Sequence, residues 1–266
     1  MDYELLCTKV LGIVRLTGNF IRKESMNFDS NKVEFKGLND LVSYVDKQAE
    51  RILVDNLAEL LPDSGFITEE QTINKKGEVY NWIIDPLDGT TNFIHGIPTY
   101  SVSVALYAYD QPVIGVVYEI NRAEMFYAYK GGAAYLNNKV IKVSTRTSIA
   151  DTLLATGFPY YDFEKQPQYM ALFTELMRKC HGLRRIGSAA VDLAYVACGR
   201  FDAFFEYNLN AWDVAAGAFI VQQAGGKVMN FSGGAEFIDA RELLATNSRI
   251  DDELLGNIQT HFNKKQ

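Results

Sequence analysis

The residues best suited to chemistry in this sequence are carboxylates. In Trp82-Ile83-Ile84-Asp85-Pro86-Leu87-Asp88-Gly89-Thr90-Thr91-Asn92 an apolar run ends on Asp85, and Asp88 follows shortly after. Pro86 restricts the backbone and opposes continuation of a strand. Gly89 permits a sharp turn. Such a turn aims Asp85 and Asp88 at one spot beyond the strand end, and two anions held close call for a divalent cation. Read alone, the Asp-x-x-Asp-Gly spacing is more ordinarily a surface turn, since Asp and Gly are turn residues. The alternating aspartates and closing glutamate of a calcium EF-hand are missing. Two further clusters follow strand-like segments. Thr68-Glu69-Glu70 alone reads as a helix start or loop, and Trp212-Asp213-Val214 alone reads as an N-cap aspartate before an apolar helix. Together the three clusters sit where α/β folds gather their sites, at the ends of strands.

The elements that must position them are legible in outline. Leu5, Leu6, Val10, Ile13, Val14 and Leu16 recur at helical spacing and predict an opening amphipathic helix to Ile21. Val33 to Lys36 is a short strand. Asn39 or Asp40 caps a second helix that Pro62 stops. Gly65-Phe66-Ile67 and Trp82-Ile83-Ile84 are strands leading into the acidic clusters. Tyr100 to Tyr129 reads as an antiparallel meander, with later turns at Gly131-Gly132 and Asn137-Asn138. The second half alternates: strands at Leu153–Ala155, Phe201–Tyr207, Lys227–Phe231 and Leu243–Ala245, with helices at Gln168–Lys179, Ser188–Cys198 and Val214–Ala224. A soft boundary near Ser144–Asp151 divides an N-terminal α+β half, 1–147, carrying the Asp85–Asp88 signature, from a C-terminal α/β half, 148–266. No Pro- or Ser-rich linker separates them, so the halves are expected to pack tightly.

Composition narrows the function classes. The chain has 266 residues, 48% hydrophobic content and a formal charge of −7, which is ordinary for a globular protein and offers no basic footprint for nucleic acid. An anionic substrate must then be met by local cations. Three cysteines (Cys7, Cys180, Cys198) show neither a zinc spacing nor a disulfide framework, and three histidines are too few for a multi-histidine metal site. No apolar run approaches the roughly 20 residues that span a bilayer. The N-terminal residues lack a signal-peptide pattern, so the expected location is the cytoplasm.

The segment Trp82 to Asn92, with its Asp-Pro-Leu-Asp-Gly-Thr-Thr-Asn core, resembles the signature of the inositol monophosphatase family. Trp212 to Gly226, WDVAAGAFIVQQAGG, is similar to that family's second signature. Glu69-Glu70, Lys36 with Asp40 and Asp46, and Gly187-Ser188-Ala189-Ala190 fall in the family's order, and the likeness covers nearly the whole chain. It implies an α/β (α+β) fold, a five-layered αβαβα sandwich of the sugar phosphatase type, usually homodimeric. It also implies hydrolysis of a sugar or polyol phosphate monoester, foremost myo-inositol monophosphate, by a metal-activated water.

The resemblance assigns the metal ligands to Glu69, Asp85, Asp88, Asp213 and the carbonyl of Leu87. The catalytic group is Glu69 and Thr90, with Asp46 behind Thr90. Substrate contacts map onto Asp88, Gly89, Thr90, Gly187, Ser188, Ala189, Glu206 and Asp213. An all-oxygen ligand set suits Mg²⁺, about two or three ions by the family's pattern. A carboxylate such as Glu206 accepts from vicinal hydroxyls, which favours a polyol, although an edge-strand charge is its bland reading. Arg184-Arg185 reads as a solvated or dimer-interface pair, Lys36 equally as a phosphate contact or a surface lysine, and Phe201, Phe204 and Phe205 as core. Fructose 1,6-bisphosphate, 3′-phosphoadenosine 5′-phosphate and histidinol phosphate are the rival substrates. A non-catalytic regulatory binding protein on the same fold is the rival class.

Overall fold

The computed structural model describes residues 1–28, 33–37, 40–73, 75–159 and 163–262, without side chains at 33–37, 40 and 41. The opening helix, α1 (Tyr3–Ser25), starts where the Asp2 side chain accepts from the Leu5 amide, and it buries Leu6, Val10, Val14 and Ile21. Two short strands, β1 (Val33–Gly37) and β2 (Asp40–Ser43), pair antiparallel before α2 (Tyr44–Leu60). The expected cap of α2 is displaced. Asn39 lies outside the described residues, Asp40 opens β2, and Ser43 with Asp46 forms a reciprocal capping box. A hydroxyl and a carboxylate at this spacing satisfy each other's backbone amides, which a cap at Asp40 does not do.

A seven-stranded sheet follows in sequence order: β3 (Gly65–Thr68), β4 (Tyr80–Asp88), β5 (Ser101–Ala108), β6 (Gln111–Glu119), β7 (Glu124–Tyr129), β8 (Ala134–Leu136) and β9 (Lys139–Ile141). The short helix α3 (Thr90–Ile94) lies between β4 and β5. Asn137 and Asn138, both with positive φ, make the tight turn between β8 and β9, and asparagine tolerates that region best after glycine. Five more strands build a second sheet: β10 (Leu153–Thr156), β11 (Gly182–Arg184), β12 (Ala203–Tyr207), β13 (Lys227–Met229) and β14 (Glu242–Thr246), in the order β11-β10-β12-β14-β13. The helices of this half are α4 (Gln166–Met177), α5 (Ala189–Ala197), α6 (Ala211–Gln223), α7 (Phe237–Ala240) and α8 (Asp251–Phe262).

Burial sorts these elements into layers. One core joins α1 and α2 to the face of the first sheet that carries Trp82, Ile84, Val102 and Val104. The alternate residues Ile83, Ala105 and Val117 face a second core with Leu193 of α5 and Phe219 and Ile220 of α6. That core continues into Ala155, Phe204 and Leu243 of the second sheet. The far face of that sheet, with Leu154, Ala203 and Phe205, packs on Leu172 and Leu176 of α4 and Leu254 and Ile258 of α8. The result is the αβαβα sandwich. Both sheets are covered on both faces, so strands such as β5 and β6 are buried almost throughout instead of alternating. Phe201, Phe204 and Phe205 are core, as expected.

Strand β4 departs from the sequence reading. It does not stop at Asp85-Pro86 but runs to Asp88. Its register against β5 pairs Asp85 with Ser103 and Asp88 with Ser101, so one strand carries an extra residue there. Pro86 therefore sits in a bulge, where a residue without an N–H breaks no ladder bond.

Candidate functional site

Strand direction assembles the site. In the first sheet β3 and β4 are parallel, with Thr68 opposite Ile84. The residues immediately after that pair, Glu69 and Asp85, are thereby neighbours, and the Glu69 amide donates to Ile84 O at 3.3 Å. In the second sheet β10 and β12 are parallel, with Thr156 opposite Phe205, so Gly157 and Glu206 are neighbours in the same way. β11 is parallel to β10 on its other side, with Ala155 opposite Arg184. Carboxyl ends of parallel strands from both sheets thus meet at one cavity of about 310 Å³. The N-termini of α5 and α6, in the layer between the sheets, close it. Its lining includes Glu69, Asp85, Asp88, Arg185, Glu206 and Asp213. Leu87, Gly89, Thr90, Gly187, Ser188 and Ala189 border the same space. All the expected site residues but one line it. The exception, Asp46, stands directly behind Thr90.

The bulge and the turn after it set the first wall. The Leu87 amide donates to Asp85 Oδ1 at 2.9 Å. Gly89 has φ 97°, a region costly for any residue with a Cβ, and it carries the chain from β4 into α3. The Thr90 hydroxyl lies 2.8 Å from Asp46 Oδ1 and 3.0 Å from Leu87 O. Asp46 is itself held through Oδ2 by the Ser43 amide at 2.9 Å and hydroxyl at 2.7 Å. One carboxylate therefore caps α2 and faces the threonine. The loop before α5 comes up to this wall through Asn92, whose amide nitrogen donates to both Thr99 O and Ile186 O at 2.8 Å.

Asp88 and Asp213 are anchored by helix starts. Ser188, the N-cap of α5, donates its hydroxyl to Asp88 Oδ2 at 2.6 Å, and the Ala190 amide donates to the same oxygen at 2.7 Å. Asp213 is the third residue of α6, and its Oδ2 accepts from the Asn210 amide at 2.6 Å. It is thus not itself the N-cap, a place Asn210 takes in a reciprocal capping box.

Burial and mutual repulsion load these carboxyls. Burial, then Glu69, Asp88 and Asp213, push Asp85 well above the usual carboxylate range. Burial raises Asp88 to about 6 against the pull of Ser188 and the Ala190 amide. Asp213 is raised to about 7, again mainly by burial. Among the described residues no three His, Cys, Asp or Glu side chains are arranged to hold a metal ion as they stand. The donor set nevertheless fits a hard divalent cation. It is all oxygen, the hydrogen bonds from Ser188 and Ala190 both fall on one oxygen of Asp88, and that of Asn210 falls on one oxygen of Asp213. The repulsion around Asp85 is the kind that such a cation relieves.

Two cavity-related residues escape the sequence reading. Arg185 is exposed, in keeping with its reading as a solvated residue, but it also lines the cavity, and its charge draws Asp88 and Glu206 back toward their usual range. Its place one residue beyond β11 follows from the parallel pairing. Glu50 is fully buried on α2. Its Oε1 accepts from the Thr68 hydroxyl at 2.9 Å and from the Thr72 amide and hydroxyl at 2.7 Å. Its Oε2 accepts from the Glu70 amide at 2.7 Å. The loop that presents Glu69 is wrapped around this carboxylate. The available signal was a charge on the apolar face of α2, in line with Asp46, Leu53 and Leu57. The Lys36 side chain lies outside the described residues.

The model of the family described as "Inositol monophosphatase family" matches residues 6–263. "Nus factor SuhB" of Pasteurella multocida is 40% identical over 246 residues, 92% of each chain. "Inositol-1-monophosphatase" of Mesorhizobium japonicum is 38% identical over 239 residues, 90% of each. The crystal structure of "extragenic suppressor protein suhB" from Bartonella henselae superposes with a TM-score of 0.90 at 36% identity, covering 95% of this chain and 97% of that one.

Proposed function

The chain belongs to the inositol monophosphatase family, and we propose that it is a magnesium-dependent phosphomonoesterase acting on a polyol phosphate, foremost myo-inositol monophosphate. The observation that carries this reading is the convergence of Glu69, Asp85, Asp88 and Asp213 on one cavity beside the Thr90–Asp46 pair. A cavity of about 310 Å³ suits a small ester. Water attacks phosphorus, the ester P–O bond breaks, and the leaving oxygen takes up a proton, giving the alcohol and inorganic phosphate.

Glu69, Asp85, Asp88, Asp213 and the Leu87 carbonyl are the proposed ligands for magnesium. Bound there, the ion supplies positive charge that offsets the anionic phosphoryl group and the developing charge on the leaving oxygen. The protein's own groups do the rest. Thr90 donates its hydroxyl proton to Asp46 and keeps its lone pairs to accept from the attacking water, and Asp46 is the base behind it. The amides of Gly89 and Thr90 are offered to phosphate oxygens, and Gly187, Ser188 and Ala189 flank the ester. Glu206 accepts from hydroxyls of the leaving group. Its carboxylate touches the backbone of Gly157: a Cβ there would meet Glu206 Oε2 at 1.9 Å.

A second reading comes from relatives named Nus factor SuhB, in which this chain serves as a binding protein. The complete carboxylate set favours catalysis, since a chain kept only for binding has no use for four acidic side chains at one cavity. Among the described residues no helix is long and apolar enough to cross a membrane. A homodimer is part of the proposal.

Phosphate release from myo-inositol 1-phosphate, fructose 1,6-bisphosphate, 3′-phosphoadenosine 5′-phosphate and histidinol phosphate, with magnesium and after chelation, tests the reading. The expected result is highest kcat/KM for inositol phosphate and no release after chelation. Preference for the nucleotide overturns the substrate assignment, and no release from any compound overturns the activity.

A further inference from the structure

Phe158 has no place in the chemistry above. It follows Gly157 beyond the carboxyl end of β10, is 40% exposed, and borders the cavity with Glu206. Among the described residues no other exposed large apolar side chain does so. An apolar ring left open beside a cavity of carboxylates is ready to be covered by whatever enters.

The bland account is a stray surface side chain, since single exposed apolar residues are ordinary. This one is held. The ring of Tyr169 on α4, itself 1% exposed, stands edge-on to it at 6.1 Å between centroids, and Phe173 of the same helix lies at 6.1 Å. The Tyr169 hydroxyl also donates to Gly157 O, so one buried side chain fixes both the turn and the ring that follows it. The Arg185 guanidinium lies 5.9 Å from the ring centre. That is well beyond the roughly 3.5–4.0 Å of direct contact, so it does not seal the ring.

These surroundings select the ligand class. The Glu206 carboxylate touches the Gly157 backbone, and Phe158 is the next residue. A leaving group that uses both carries hydroxyls along its edge and C–H bonds on its face. A saturated ring polyol is built that way: its hydroxyls point mostly outward, and its axial C–H bonds make an apolar face. An open-chain alcohol such as glycerol has no such face. A purine has a face, but its ring nitrogens are acceptors and would meet the Glu206 carboxylate unpaired. Resting on the function proposed above, we infer that Phe158 is a specificity-determining residue: its ring covers the C–H face of a cyclic polyol whose hydroxyls Glu206 accepts, and so selects ring esters over open-chain ones. The phosphoryl end stays with the Asp85–Asp88 wall.

The test is a cycle between enzyme and substrate. kcat and KM are measured for myo-inositol 1-phosphate, glycerol 2-phosphate and 3′-phosphoadenosine 5′-phosphate with wild type, Phe158→Ala and Phe158→Tyr. Phe158→Ala is expected to lower the ratio of kcat/KM for the inositol ester over the glycerol ester by about 5- to 10-fold, through KM for the inositol ester. Phe158→Tyr keeps the ring and should hold that ratio within about twofold of the wild type. If Phe158→Ala fails to fold by circular dichroism, Phe158→Leu takes its place: it keeps apolar volume without the flat face, and its ratio should still fall. An unchanged ratio overturns the inference, and so does an equal loss on both esters. A loss confined to the nucleotide overturns it too, because the ring then serves a base. If the wild type releases no phosphate from any compound, the phosphatase reading itself fails and takes this inference with it; an unchanged ratio in an active enzyme removes only the role of Phe158.

Discussion

The two walls of the cavity are built by the same device and finished differently. Each begins as a pair of parallel strands whose next residues stand side by side, Glu69 with Asp85 in the first sheet and Gly157 with Glu206 in the second. On the first wall nearly every acid has protein partners: Asp46 is held by Ser43 and Thr90, Asp85 by the Leu87 amide, Asp88 by Ser188 and Ala190. On the second wall Glu206 rests against a bare glycine backbone, and behind it the enclosed Asp192 Oδ1 has no hydrogen-bond partner among the described residues. The difference teaches how such a site divides its labour. On the proposed function, the groups that must keep one geometry while charge moves are the ones locked by the protein, whereas Glu206, which is proposed to read the incoming molecule, is not.

Breaking the first wall should have the largest effect. Asp88→Asn and Asp213→Asn are each expected to lower kcat by about 10³-fold or more in a phosphate-release assay, because ligand charge is lost where the transition state needs a cation. Circular dichroism should show both variants folded. Near-wild-type turnover in either variant contradicts the assignment.

A subtler break removes only the support of that wall. Glu50→Gln keeps the shape but turns an acceptor for four hydrogen bonds into a mixed donor and acceptor. Turnover should fall about 10- to 100-fold, the range for groups that orient metal ligands. The apparent magnesium affinity should fall with it, a readout that simple loss of stability does not move in the folded fraction.

On the second wall, Gly157→Ala places a methyl where Glu206 Oε2 now lies. The glutamate must move, so KM for inositol 1-phosphate should rise several-fold, by about 5- to 10-fold, with kcat little changed. A fall confined to kcat instead assigns Glu206 to the first wall's work.

The smallest effect is on stability. Asp88 and Asp213 are raised to about 6 and about 7 in the folded protein, above the range of an unfolded chain. The folded state then binds more protons than the unfolded state, so ν_U − ν_N is negative and stability falls as pH rises. Chelated protein should therefore melt a few degrees lower at about pH 8 than at about pH 5, and magnesium should restore more of the loss at the higher pH. Melting that rises with pH in the chelated protein denies that burial raises these carboxyls.

What was legible in the sequence was whatever is contiguous. The stretch from Trp82 to Asn92 displays its carboxylates, its proline and its glycine within one turn of chain, and the order of helices and strands follows hydrophobic period. Pairing is not contiguous. That Thr68 lies beside Ile84 in a parallel register, and Ala155 beside Arg184, cannot be read from either segment alone, so the sequence shows Arg185 as a solvated residue without showing its place at the cavity, and it does not single out Glu50. Pro86 misled for a related reason: its missing N–H forbids a regular ladder but is at home in a bulge, and the bulge exists only with β5 beside it. The cap of α2 is ambiguous in the sequence because Ser43 competes with two good capping residues just upstream, and only the capping box with Asp46 decides between them.

Calorimetric titration with magnesium of the metal-stripped wild type and of Asp85→Asn tests the central claim most directly, that the carboxylates meeting between the sheets form a divalent-ion site. Saturable binding to the wild type that is lost or weakened by at least about tenfold in Asp85→Asn is the predicted result. Equal binding by both proteins, or none by the wild type, contradicts it.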